Sequence, residues 1–334
     1  GPTSNVYDLS KSAAGSSGGA SSAVAAGMLP FADGTDQMGS CRGPAAFANI
    51  YGFRPTPGLI PTDRSGHDRK LPILTTPGCF GRTPEDMSYF LDAVVGKDNI
   101  DPISFNVKGK FYDCELNDNE FSKTKICWLS DMDNSYELED GIEDMCNKKL
   151  KELEKNNLSI VLPDIKINTD YLWQSWICLR SKSIYNDTLA MNIKNIDDMT
   201  EQAIWEYKKG SKIKDDDIDV ANKQKLNCFN QVRKLFEKFD LLALPSAQIF
   251  PFDKKIQYPS EINNKKLDTY HRWLEIFVMS SLLELPTFSV PIGFNKNGSP
   301  MGIQIIGKRG EDLKVFSFAK KYEEVFSYSK TSPK

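Results

Sequence analysis

Histidine is almost missing from this chain: His67 and His271 are the only two in 334 residues. The seven cysteines form no pattern either. Cys41, Cys79, Cys114, Cys127, Cys146, Cys178 and Cys228 are scattered, odd in number and free of any C-x-x-C pair. That argues against a zinc cluster and a disulfide framework, and it points to a reducing compartment, the cytoplasm. No apolar run reaches eighteen residues, so no membrane-spanning helix is expected. A sustained basic stripe is also lacking. Lysine and arginine number 42 against 45 acids, a net charge of −3, which speaks against a nucleic-acid platform. No internal repeat appears, and nothing calls for a metal or cofactor.

What is present is an ordinary globular composition, 40% apolar and 26% charged. Short apolar runs at 50–53, 126–129, 158–162, 241–244, 288–290 and 302–306 read as strands. Helices are expected at 84–95, 139–155, 170–185, 221–239, 269–283 and 311–325. Thr83-Pro84-Glu85-Asp86 supplies a helix start of cap, proline and acids. In the second helix Ile142, Met145, Leu150 and Leu153 share one face. Helices alternating with apolar strands imply an α/β layer fold around a largely buried sheet.

Two glycine-rich turns carry the chemical signal. The first is Gly15-Ser16-Ser17-Gly18-Gly19; the second runs Gly34-Thr35-Asp36-Gln37-Met38-Gly39-Ser40-Cys41-Arg42-Gly43-Pro44-Ala45. An Ala/Ser segment at 20–27, short enough for one small helix, lies between them. Glycine permits unusual backbone angles, and such turns let backbone N–H groups converge where an oxyanion develops. A Gly/Ser/Ala stretch is also what a flexible linker looks like, but the apolar 28–32 run and a second ordered turn follow directly. The first turn satisfies G-x-S-x-G as well, the nucleophile elbow of α/β-hydrolases, with Ser17 at its centre. That elbow needs a strand before it, and 5–12 is a poor one. It also needs a histidine, whereas His67 sits in a solvated loop at 63–70 and His271 is read as decorating a helix. Gly302-Ile303-Gln304-Ile305-Ile306-Gly307-Lys308 mimics a phosphate loop. Its β-branched interior suits a strand, and Arg309 stands where Ser or Thr is required.

The paired turns resemble the amidase signature family, whose members hydrolyse or transfer amides with a Ser–Ser–Lys triad. The likeness extends to Gly52-Phe53-Arg54-Pro55-Thr56, to the segments at 74–83, 240–246 and 285–291, and weakens between 99 and 221. It implies a mixed β-sheet sandwiched between helices, with 1–334 as a single amidase signature domain. Carried over, Ser40 is the nucleophile and Ser16 the proton-relaying serine, preceded by a cis peptide bond and within reach of the Ser40 hydroxyl. The backbone N–H groups of Gln37, Met38, Gly39 and Ser40 form the oxyanion hole, and Ser17, Asp36 and Arg42 support the turn, the last two as an ion pair. Two positions depart from the family pattern: Ala14 and Met38 each replace a glycine. Met38 threatens the chemistry only if it needs a positive φ.

The family's base is a lysine well upstream of the first turn. Only Lys11 is available here, on a segment that reads as exposed, so the resemblance makes this chain the C-terminal portion of a longer amidase and the fragment inactive on its own. The expected activity is hydrolysis of a small-molecule amide through an acyl-enzyme on Ser40. Alternatives are the amidase subunit of a glutamyl- or aspartyl-tRNA amidotransferase, or a non-catalytic amidase-like protein. A homodimer stays open; direct nucleic-acid and membrane contacts are not expected.

Overall fold

The computed structural model describes residues 1–64, 66–193 and 195–333. Ten strands are present among them: β1 (Phe31–Asp36), β2 (Tyr51–Arg54), β3 (Thr76–Gly81), β4 (Lys125–Trp128), β5 (Ser159–Val161), β6 (Leu241–Pro245), β7 (Glu261–Ile262), β8 (Lys265–Lys266), β9 (Thr287–Phe294) and β10 (Pro300–Ile306). Eight of them form one sheet in the order β1-β3-β2-β9-β10-β6-β4-β5, and β7 and β8 make a separate hairpin. β4 runs parallel to β5 and β6; the other pairings in the sheet are antiparallel. The sheet is therefore mixed, as expected.

Side chains along β6 explain why both faces are covered. Leu241 and Ala243 enter one apolar cluster, together with Met87, Leu91, Leu150, Phe316 and Tyr322 from helices on that side. Leu242 and Leu244 enter another, with Leu172, Trp176, Ile218, Val232 and Leu282. Alternating residues of one strand thus feed two helical layers, and all five residues of β6 are buried.

Most expected elements form. The helix Pro84–Val94 begins where the cap signal places it, with the Thr83 hydroxyl accepting the Asp86 N–H at 3.0 Å. Residues 302–306 of the phosphate-loop mimic lie in β10, a strand buried throughout, and Gly307 and Lys308 follow it. Ser65, within the loop expected at 63–70, lies outside the described residues, and the rest of that loop is turn and coil. The helix expected at 269–283 is instead a 3₁₀ segment, Arg272–Phe277, running into a short helix, Val278–Leu282. β1, β3 and the helix Glu201–Gly210 had no strand or helix expectation. Among the described residues no helix is long and apolar enough to cross a membrane.

Candidate active site

The two glycine turns meet at the β1 edge of the sheet. The first leads into the helix Gly18–Ala25, and the second follows β1 and enters the helix Arg42–Phe47. The Gly15–Ser16 peptide bond is cis. Ser16 and Ser40 line one cavity of about 430 Å³, whose walls also include Gln37, Met38, Arg180, Tyr270, His271 and Trp273. The structure thus brings the two candidate serines to the same cavity. Among the described residues no hydrogen bond joins their hydroxyls. Ser17, by contrast, precedes the first helix at its N-cap and is absent from the cavity walls.

Asp36 is the anchor of the second turn. Its fully buried carboxylate accepts Arg42 Nη2 at 2.8 Å and Nε at 2.9 Å, and Arg54 Nη1 lies 3.3 Å away. It also accepts the backbone N–H groups of Gly39 at 3.0 Å and Cys41 at 3.2 Å. Burial pushes its pKa up, but the two guanidiniums and the backbone donors outweigh that and hold it well below the usual carboxylate range. Burial draws Arg54 down to about 10 despite the neighbouring Asp36. Arg42 in turn donates to Gln304 Oε1 at 2.7 Å, Ser280 Oγ at 2.6 Å and Ser281 Oγ at 2.8 Å. The ion pair expected between Asp36 and Arg42 exists, and it braces the turn. Arg54, Gln304, Ser280 and Ser281 were not singled out by sequence reasoning; for Arg54 the G-F-R-P-T strand end was the available signal.

With Asp36 so engaged, the residues of the turn divide into two groups. Gly39, expected to supply an oxyanion-hole N–H, gives it to the Asp36 carboxylate instead, whereas Gln37, Met38 and Ser40 line the cavity. Gly39 carries the positive φ of the turn, +86°. Met38 does not, so its side chain packs into the core, 5% exposed, without straining the backbone. Ala14, the other departure from glycine, does adopt a positive φ, 59°.

A Cβ on Gly39 would sit 2.4 Å from the ring of Phe277, which is buried and itself lies beneath the Arg42 guanidinium. Gly39→Ala is accordingly expected to destabilise the fold by about 3 kcal/mol, combining the left-handed backbone penalty with a clash against a packed ring. Thermal unfolding checks this. An unchanged melting temperature would mean that Phe277 yields freely and is not the platform of the turn.

His271 differs from its expected place. It lies just before the 3₁₀ segment, 2% exposed, packed against Tyr270, Trp173 and Trp205 with ring centroids 4.4, 5.3 and 5.7 Å away. Neither ring nitrogen has a hydrogen-bond partner among the described residues, and burial lowers its pKa to about 4. Beside it, Arg180 forms an ion pair with Glu206 at 2.7 Å, and Glu206 accepts from Tyr270 at 2.9 Å and Ser181 at 2.6 Å. Among the described residues no group of three or more His, Cys, Asp or Glu could hold a metal ion.

Known proteins resemble the chain in sequence and in overall fold. The chain is 29% identical to a glutamyl-tRNA(Gln) amidotransferase subunit of Sulfurihydrogenibium sp. (strain YO3AOP1), with 99% of the chain aligned to 71% of that protein. It is 30% identical to the corresponding protein of Geobacillus sp. (strain WCH70), over the same shares of each chain. Its structure superposes on that of a bacterial aryl acylamidase of the amidase signature enzymes with a TM-score of 0.87, at 26% identity, covering 98% of this chain and 69% of the other. The family profile described as Amidase matches residues 1–316. The chain belongs to the amidase family, the amidase signature enzymes.

Proposed function

We propose that the chain carries the nucleophile half of an amide-hydrolysing site, with Ser40 attacking the carbonyl carbon and Ser16 relaying its proton. The observation that supports this most is the meeting of two serines with Gln37 and Met38 of the second turn on the walls of one cavity. In this reading the Ser40 oxygen bonds to the amide carbon while Gln37, Met38 and Ser40 N–H groups stabilise the oxyanion; one such donor is worth roughly 3–4 kcal/mol. Ser16 takes the Ser40 proton while giving its own hydroxyl proton to the base, and the base returns a proton through Ser16 to the leaving nitrogen as the C–N bond breaks. Water then hydrolyses the acyl-enzyme to the acid. The two hydroxyls come together when substrate engages both, since catalytic hydrogen bonds commonly tighten only in the complex.

Among the described residues the cavity walls include no lysine, and His271, held neutral by burial, is a poor base near neutral pH. We therefore assign the base to a lysine outside residues 1–334, which makes the isolated chain inactive. Seven unpaired thiols fit a reducing cytoplasm.

Substrate charge separates this reading from a second. Among the described residues the walls hold one charged side chain, Arg180, and Glu206 already neutralises it. An uncharged amide fits such a cavity; a zwitterion such as glutamine needs a partner for each of its charges. The similarity to amidotransferase subunits favours glutamine as the amide source within a complex. The test offers the full-length protein 4-nitroacetanilide, benzamide and glutamine. Turnover of the neutral amides at least about tenfold more efficient than that of glutamine is expected. Glutamine turnover that exceeds it, or that needs a partner protein, would favour the amidotransferase reading.

A further inference from the structure

Arg180 lies 143 residues from the second glycine turn, yet one of its Nη1 hydrogens is donated to the Gln37 side-chain oxygen. The rest of the guanidinium is fixed from behind. Its Nε reaches Glu206 Oε1 at 2.7 Å, and Ser181 and Tyr270 hold that carboxylate at 2.6 and 2.9 Å. Glu206 is 1% exposed and the Arg180 side chain 15%. Two arginine-bearing networks thus grip adjacent residues of the turn. Asp36 is held by Arg42 and Arg54, and Gln37 by Arg180. Directly after them the chain brings Met38 and Ser40 to the cavity.

We infer that Arg180 is a positioning residue: it holds Gln37, and through Gln37 the orientation of the oxyanion-binding amides. The inference rests on the proposed role of Ser40 and that turn. Arginine suits the task because its planar fork serves Glu206 and Gln37 at once through different nitrogens, which a lysine ammonium on a flexible stem does not reproduce. The helix Thr169–Ala190, which carries Arg180, and the helix Glu201–Gly210, which carries Glu206, are thereby made part of the catalytic support.

The test uses the full-length protein and a fluorophosphonate probe, in which the serine oxygen bonds to phosphorus, fluoride leaves, and the phosphoryl oxygen occupies the oxyanion position. Three variants are compared: Arg180→Lys, which keeps the charge facing Glu206; Gln37→Met, which removes the acceptor at similar size; and the double variant. Misplacement of a catalytic group by about 1 Å can cost about a hundredfold. Each single variant is expected to lower the maximal labelling rate by about tenfold to a hundredfold, with the half-saturating probe concentration little changed. The double variant should be no slower than the slower single one, because both break the same link. Gln37 is half-buried at the cavity, so Gln37→Met decides the matter even if Arg180→Lys fails to fold. An unchanged maximal rate in Gln37→Met, losses confined to half-saturation, or losses that multiply in the double variant would overturn the inference. No labelling of the unsubstituted protein, or labelling that persists in Ser40→Ala, would instead remove the reading of the turn on which it rests.

Discussion

Replacing Ser40 with alanine in the full-length protein is expected to reduce amide hydrolysis by about 10⁴-fold or more, the scale seen when a covalent nucleophile is removed. The melting temperature should stay within about 1 °C, a shift worth well under 1 kcal/mol for a domain of this size. The asymmetry follows from the structure. Ser40 is half-buried on a cavity wall, and its hydroxyl makes no hydrogen bond among the described residues, so its loss leaves no orphaned buried partner. Ser16→Ala should also be strongly impaired, by the 10²–10⁴-fold typical of a lost proton-transfer group. Ser17→Ala should retain activity, because Ser17 starts a helix and does not line the cavity. Steady-state kinetics on the three variants beside thermal melts checks all of this. A Ser17→Ala variant that loses activity while Ser40→Ala retains it would restore the nucleophile elbow.

Asp36→Asn should have the largest effect on stability, about 3–5 kcal/mol, the cost of leaving buried charge without its partner. Two guanidiniums, Arg42 and Arg54, converge on that one carboxylate, and all three side chains are fully buried. The asparagine keeps the shape but can no longer accept at every oxygen position or balance the charge. The effect also has a pH signature. Asp36 has a folded pKa below its ordinary 3.8, because the guanidiniums and backbone donors outweigh burial. Its contribution is therefore complete above the unfolded value and declines as pH falls towards the folded one. The gap in melting temperature between the unsubstituted protein and Asp36→Asn should be constant from about pH 5 to 8 and begin to narrow below about pH 4. A gap that is small at neutral pH, or that widens in acid, would show that the ion cluster is not what braces the turn.

The candidate site was legible because its signal is local. Each serine proposed as catalytic sits in a glycine turn whose residues are contiguous, so Ser16, Ser40 and the Asp36–Arg42 pair could be singled out from spacing and resemblance. The supports of those turns were not legible, because they come from afar. Arg42 reaches Gln304 on β10 and Ser280 in the short helix Val278–Leu282, more than two hundred residues away, and Arg180 reaches Gln37 from a segment with no recognisable motif. β6, β9 and β10 announced themselves through apolar runs. β1 did not, since Phe31-Ala32-Asp33-Gly34-Thr35-Asp36 lies at the sheet edge and is only partly covered. β3 hid behind Pro77 and Gly78, residues that usually mark a turn, yet it is paired on both sides by β1 and β2. His271 was misplaced for a related reason. A single polar residue beside Tyr270 and Arg272 looks exposed in sequence, while Trp173 and Trp205, from two separate helices, join Tyr270 in covering it.

The most direct measurement is the site of covalent trapping. The full-length protein is treated with a fluorophosphonate, digested, and the modified peptide identified by mass spectrometry. One phosphonyl group on Ser40, absent after denaturation before labelling, is the result this account predicts. A group on Ser17, on Ser16 alone or on a residue outside the cavity, with Ser40 unmodified and activity nonetheless abolished, would contradict it.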